Sequence, residues 1–223
     1  MRDAGYGQFC PVAKAAEILA ERWTPLVLRE LLAGSSRFNE IRRGVPLMSP
    51  SLLSDRLDTL MKAGVLERHR AEGSRHWTYG LTEAGEQLRP LVALMAAWGR
   101  HWTRESITRA DRDPAFMMWA MLRRAEQRGA RPEGRVVMHF ELRDAKVTKR
   151  YWWLVLGEAS VDLCLTDPGF EVALRLRSDL ETVMLLLLDE LTLSRARRSN
   201  RLLVEGPARL ARQMPAWLGF TAP

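Results

Sequence analysis

The sequence predicts an α+β protein of two domains: a helical domain with one two-stranded ribbon, then an antiparallel sheet covered by helices. Three observations predict it. The 223 residues exceed what one ordinary domain of about 100–150 residues needs. Apolar residues recur at helical spacing as far as Trp102, then alternate at strand spacing from Val136. Between the two regimes Arg104 to Asp113 is polar and lacks periodicity, which places the first domain at residues 1–106 and the second at 113–223.

Composition narrows the class. Hydrophobic residues make up 47% of the chain, enough for packed cores. The net charge of +7 favours a polyanionic partner. It is shared, with net +4 in residues 1–110 and +3 in the rest. Two cysteines, Cys10 and Cys164, suit neither a disulfide framework nor a zinc site. There is no signal-peptide pattern, and the longest apolar run, Val183 to Leu188, is too short to span a bilayer. A cytoplasmic location with no membrane partner is the expectation.

Residues 1–9 look irregular. Cys10-Pro11 precedes a helix with Val12, Ala16 and Leu19 on one side. Thr24-Pro25 is expected to cap the next helix, in which Leu28, Leu31 and Leu32 are apolar and Gly34 is the stop. Ser35-Ser36 is expected to start a short third helix, with Phe38 and Ile41 inward and Arg37, Asn39, Arg42 and Arg43 outward.

Ser49 to Leu81 organises this half. Ser49 can cap a helix, and Pro50 fits its first position because it has no N–H to lose. Leu53, Leu57, Leu60 and Met61 form one apolar stripe, and Gly64 stops the helix. The opposite face carries Ser51, Leu52, Asp55, Thr59 and Lys62, short enough at its N-terminal half for the backbone to approach base edges. Arg56 lies on the flank, where it serves either DNA or a salt bridge. Two strands follow around Glu72-Gly73-Ser74, carrying Arg68, Arg70, Arg75 and His76 for phosphate contact and Trp77, Tyr79 and Leu81 on one face. Helix, helix, short helix, recognition helix and basic ribbon make a winged helix-turn-helix.

The residues also carry a resemblance. Cys10-Pro11-Val12, Arg22-Trp23-Thr24, Leu28-Arg29-Glu30-Leu31, Arg37-Phe38-Asn39-Glu40-Ile41, Ser49-Pro50, Leu53-Ser54, Arg56-Leu57, Ala63-Gly64-Val65 and Tyr79-Gly80-Leu81-Thr82-Glu83-Ala84-Gly85 follow in this order. That succession, over about residues 8–103, resembles the HxlR-type winged-helix transcriptional regulators of bacteria. The resemblance implies homodimeric binding of double-stranded DNA, with the Ser49 helix as recognition helix. The chain departs from the family at Ser51, where a basic residue often stands.

Thr82 is expected to cap one long helix reaching Arg104, with Leu88, Leu91, Met95, Trp98 and Trp102 as its stripe. In the family the first and last helices pair two copies, and an exposed aromatic stripe fits that role; packing within the chain is the alternative. The resemblance also implies a redox role for Cys10, since some relatives respond to electrophiles through this cysteine. Its place before a helix N-terminus favours thiolate. The alternative is a small apolar residue at the dimer seam.

In the second half, Asp113-Pro114 caps a helix carrying Phe116, Met117, Met118, Trp119, Met121 and Leu122, and Gly129 ends it. Four strands follow: Val136 to Leu142, Arg150 to Leu156, Ser160 to Thr166, with Val161, Leu163 and Leu165 inward, and Glu171 to Arg177. Gly157-Glu158 and Asp167-Pro168-Gly169 are the turns of an expected antiparallel meander. Ser178 and Glu181 read as a capping box before a helix with Leu180, Val183, Met184, Leu187 and Leu188. A basic segment, Arg195 to Arg201, leads to a last strand at Leu202 to Val204 and a helix with Leu210, Met214 and Trp217. This order, over about residues 114–220, is similar to the sterol-carrier-protein-like fold, which implies an apolar tunnel for a lipid-like or aromatic ligand. Met117, Met118, Met121, Trp152, Leu154, Val183, Met184 and Leu187 would line it, or would fill a core; methionine suits both.

No catalytic motif, cofactor loop or metal cluster is present in the sequence, and the four histidines are scattered. The chain is therefore expected to be no enzyme and to need no cofactor or metal. Three functions are weighed. They are a homodimeric transcriptional regulator, read as a repressor, whose hold on DNA an apolar ligand in the second domain would alter; a carrier of a hydrophobic ligand; and a redox-responsive regulator using Cys10.

Overall fold

The computed structural model describes residues 5–70 and 76–220, in two compact units, residues 1–107 and 108–223. The first unit runs α1 (Pro11–Leu19), α2 (Thr24–Leu32), α3 (Phe38–Gly44), α4 (Pro50–Lys62), β1 (Leu66–Arg70), β2 (Trp77–Leu81), α5 (Glu83–Glu86) and α6 (Arg89–Trp102). Its core gathers Val27, Leu28 and Leu31 of α2, Ile41 of α3, Leu53, Leu57 and Leu60 of α4, and Val65 and Leu66. The stripes read from the sequence for α3 and α4, with Leu28 and Leu31 of α2, meet there. Burying each such side chain contributes roughly 1.5–3 kcal/mol before the entropy of ordering it.

Polar groups lock this arrangement. Glu30 is buried, and Arg29 donates to it through Nε at 3.0 Å and Nη2 at 2.8 Å. The same Nη2 donates to the carbonyl of Gly44 at 2.8 Å, tying α2 to the end of α3. A Cβ on Gly44 would lie 1.9 Å from the Glu30 carboxyl carbon, so only glycine fits over the buried acid. Gly64 takes φ +71°, the left-handed stop after α4.

Three local expectations change. The cap of α2 is Trp23, at φ 77°, while Thr24 is inside the helix and buried. Packing of the indole on the core fixes that uncommon backbone conformation. The cap of α3 is Arg37: Glu40 reaches back to accept from the backbone N–H groups of Ser36 and Arg37, and Ser35 is buried behind it. The long helix after Thr82 is two helices. Thr82 caps only α5, and Pro90, which has no N–H for the preceding turn, stands in the first turn of α6.

The second unit runs α7 (Pro114–Arg128), β3 (Val136–Leu142), β4 (Tyr151–Leu156), β5 (Val161–Cys164), β6 (Leu174–Ser178), α8 (Leu180–Leu187), α9 (Leu193–Arg198), β7 (Leu203–Glu205) and α10 (Ala208–Trp217). The sheet order is β5-β4-β3-β6-β7. Three of its four pairings are antiparallel, but β6 runs parallel to β3, so the expected simple meander is corrected. Asp167-Pro168-Gly169 is not a hairpin turn. It starts a passage to the free side of β3, which Ala173 joins by donating to the carbonyl of Val137. Leu165, between the end of β5 and that passage, is exposed rather than inward.

Met138, Phe140 and Leu142 of β3 share the covered face with Trp152, Leu154 and Leu156 of β4 and Leu174 and Leu176 of β6, all buried. On the other face His139 stacks between Tyr151 and Trp153, at centroid distances of 5.6 and 4.8 Å. Asp179, not Ser178, caps α8, accepting from the N–H of Thr182. Ser178 is the last residue of β6, and its hydroxyl donates to the carbonyl of Arg201.

Candidate nucleic-acid interface

The stripe of Leu53, Leu57 and Leu60 seats α4 in the core and turns the opposite face outward. Ser51, Asp55, Thr59 and Lys62 are exposed there. Ser49 is the helix cap: its hydroxyl accepts from the N–H of Leu52 and lies 3.2 Å from the Ser51 hydroxyl. Two residues depart from the expected groove face. Leu52 is half-buried and packs on the core. Arg56 donates through Nη2 to Glu21 at 2.7 Å and through Nε to the carbonyl of Arg22. Its charge is used inside the domain, where it ties α4 to the chain between α1 and α2.

Beside α4, Arg37 and Asn39 are exposed on α3, with Arg42 and Arg43. The hairpin is held to them by a backbone bond of 2.7 Å from the N–H of Tyr79 to the carbonyl of Ser36. Strand alternation puts Arg68 and Arg70 on the same face as Trp77 and Tyr79, with Arg70 opposite Trp77 and Arg68 opposite Tyr79. The guanidinium of Arg68 lies 4.2 Å from the Trp77 ring centroid and that of Arg70 at 5.7 Å. Trp77 thus supports both cations while leaving their outer edges to solvent. Sequence reading gave Trp77 only to the apolar face; the cross-strand register was the signal for this second part. His76 is exposed, and Arg75 with the turn at Glu72 to Ser74 lies outside the described residues.

The α6 stripe stands open within this unit. Leu91, Met95, Trp98 and Trp102 are 44–68% exposed. Leu94, exposed to 67%, belongs with them and was missed, though it follows Leu91 by three. Leu88 is half-buried against the core instead. On α1, Val12 is exposed, Ala16 half-buried, and Leu19 packs on the core. Cys10 stands at the N-cap position of α1. The backbone N–H groups of Ala13 and then Val12 hold its thiol pKa below the usual cysteine value.

In the second unit Met117, Met118, Met121, Trp152, Leu154, Val183 and Met184 are buried and Leu187 is half-buried. They are core residues of this conformation. Two cavities of the unit are lined by other groups. One, of about 410 Å³, lies among Arg124, Arg128, Asp189 and Phe220; another, of about 260 Å³, lies among Arg131, Glu133, Arg209 and Trp217. Among the described residues no cluster of His, Cys, Asp or Glu could hold a metal, and no helix is long and apolar enough to cross a membrane.

Comparison with known proteins adds to the geometry. Residues 18–107 match the family model of HxlR-like helix-turn-helix proteins, and residues 121–218 match that of the SCP-2 sterol transfer family. The uncharacterized HTH-type transcriptional regulator YvaP of Bacillus subtilis (strain 168) is 35% identical over 112 residues, 49% of this chain and 95% of that protein. The HTH-type transcriptional regulator YodB of the same organism is 34% identical over 91 residues, 40% of this chain and 81% of that protein. The solved structure of the redox regulator HypR in its reduced form is 29% identical, with a TM-score of 0.40, over 44% of this chain and 100% of that one.

Proposed function

This chain belongs to the HxlR-like helix-turn-helix transcriptional regulators and carries an SCP-2 domain after the helix-turn-helix, and from that premise we propose how it works on DNA. It binds duplex DNA as a homodimer. Ser51 and Asp55 of α4 meet base edges, and Arg37, Asn39, Arg68, Arg70 and His76 meet phosphates. One observation carries this. The short polar face of α4 and the arginines of the hairpin are exposed side by side, and one core fixes both. Short groups let the helix backbone approach the groove, and forked guanidinium groups suit phosphate oxygens.

Two copies pair through the open face of α6 with Val12 of α1, and so read two half-sites. The protein acts in the cytoplasm, where the DNA is, as a regulator and not as an enzyme. The SCP-2 match supports an apolar ligand as the controlling signal in the second unit. Such a ligand acts on transcription only if it prefers one arrangement of the DNA-binding units.

Selecting bound duplexes from fragmented bacterial genomic DNA tests the proposal. Recovery of one sequence class with two related half-sites is expected. Recovery of random fragments at uniform, weak affinity sinks it and leaves the ligand-carrier reading.

A further inference from the structure

The second unit carries a cationic cluster that its own acids do not neutralise. Helix α9 exposes Arg195, Arg197 and Arg198, while Leu193 and Ala196 are buried beneath them. Several other arginines of this unit do have acidic partners. Arg177 donates to Glu141 at 2.7 Å, Arg201 meets Glu181 at 3.2 Å, and Arg143 meets Asp179 at 3.7 Å. No ion pair is found for the three guanidinium groups of α9 among the described residues.

The support is stiff. Thr192 accepts from the N–H of Arg195, and Asn200 at φ 57° turns the chain back, so that Arg201 and Leu202 both donate to the carbonyl of Ala196. Buried Leu202 closes the platform from below. Cations at a helix C-terminus also offset its dipole, and a solvated basic face is the commoner meaning of such a run. One arginine is enough for the dipole of so short a helix, however, and α9 carries three in its last turn.

We propose that α9 is a second phosphate contact, through which the C-terminal unit holds duplex DNA in its own right. The inference rests on the proposed DNA binding of the first unit. Three unpaired forks on a rigid turn suit phosphate oxygens, and the exposed Asn200 side chain beside them adds a neutral donor. A tethered cluster of this kind stays at high effective concentration near any duplex the first unit holds. The α9 surface offers no exposed apolar group, which a helix lying on a membrane requires.

The salt dependence of full-length protein on a long random-sequence duplex tests this. Four variants are compared with wild type: Arg195→Ala/Arg197→Ala/Arg198→Ala, the same three positions as Lys, Arg198→Glu alone, and Arg68→Ala/Arg70→Ala. The triple alanine protein should lose about 0.9 in the slope of log affinity against log salt for each contact removed, so roughly two to three units. The lysine protein should keep the slope, because the slope counts charges. Arg198→Glu should lower it as well, and stands in should the triple alanine protein melt early. A wild-type slope in a folded triple alanine or Arg198→Glu protein overturns the inference. If only the Arg68/Arg70 protein loses slope, the inference fails while DNA binding by the first unit stands; if no variant does, both fail. Loss of binding to phosphatidylserine vesicles with an unchanged DNA slope also overturns it, and assigns α9 to a membrane surface.

Discussion

The guanidinium of Arg56 meets the carboxylate of Glu21 at 2.7 Å and so holds α4 against the turn between α1 and α2. The pair is partly exposed, at 20% and 37% of the two side chains. Its loss should therefore cost no more than about 1 kcal/mol of stability. Arg56→Ala should lower the melting temperature and weaken DNA binding by shifting α4, without changing the salt slope. Calorimetry and fluorescence titration at several salt concentrations check this. A slope reduced by a full unit would return Arg56 to the phosphate contacts.

Arg68 and Arg70 should behave in the opposite way. Both lean on Trp77 at the solvent edge of the hairpin. Arg68→Ala and Arg70→Ala should leave the melting temperature nearly unchanged and each lower the slope by about one unit, across all sequences alike. Trp77→Ala should reproduce part of that loss by freeing both side chains. Equal weakening with no slope change would take the hairpin off the phosphates.

Much of this arrangement was legible before the structure, and the failures share a cause. Periodicity found α4 because its stripe is set by local spacing and by Ser49, Pro50 and Gly64. Capping at Thr24, Ser35 and Ser178 differs from the sequence reading because each competes with tertiary demands: a packed indole, a buried Glu30 and a hydroxyl bond from Ser178 to the carbonyl of Arg201. The sheet order was misread because Asp167-Pro168-Gly169 turns a crossover as readily as a hairpin, and only pairing with β3 decides. Burial of Met117 and Met118 was foreseen; whether such residues line a space or fill it is a matter of packing that composition does not encode.

Pairing of two copies is expected at micromolar concentration. Trp98, Trp102 and Leu94 expose 59–68% of their surface within one unit. Trp98→Asp should leave each copy folded, since the side chain is outside the core, yet shift sedimentation to the monomer. Half-sites should then no longer be read together at about 34 Å, one helical turn. A dimeric Trp98→Asp protein would mean that the stripe is covered from within the chain.

Cys10 should be more reactive than an ordinary cysteine. The N–H groups of Ala13 and Val12 stabilise its thiolate and lower its pKa. A lowered pKa means more thiolate at neutral pH, so alkylation by iodoacetamide should reach half its maximal rate below the ordinary value of about 8.5. Cys10→Ser should abolish that fast phase and keep the protein on DNA under peroxide. If the variant leaves DNA under peroxide as readily as wild type, Cys10 is a packing residue and no sensor.

The second unit should take an apolar guest only by moving side chains. Met118 and Leu154 have no exposed surface, and Met117, Met121 and Trp152 expose 2–4%. Trp152 is pinned as well, its indole N–H donating to the carbonyl of Lys149 at 2.8 Å. Met184 and Leu187, less buried and unanchored by polar bonds, form the edge most easily displaced. Methionine yields at low cost because it is unbranched and rotates about three bonds. Fatty acids and aromatic apolar compounds should therefore raise the melting temperature, with about 2.7 kcal/mol gained at a hundred times the dissociation constant. Met118→Ala opens a void and should cost about 2–5 kcal/mol. An aromatic guest that fits should restore more stability to that variant than to wild type. Any guest found must then change operator affinity, since a ligand equally at home in both states shifts neither. A thermal shift without a change in affinity would separate ligand binding from regulation. No shift in either protein would leave the unit as a filled core, and the control of DNA binding would then lie with the first unit and Cys10.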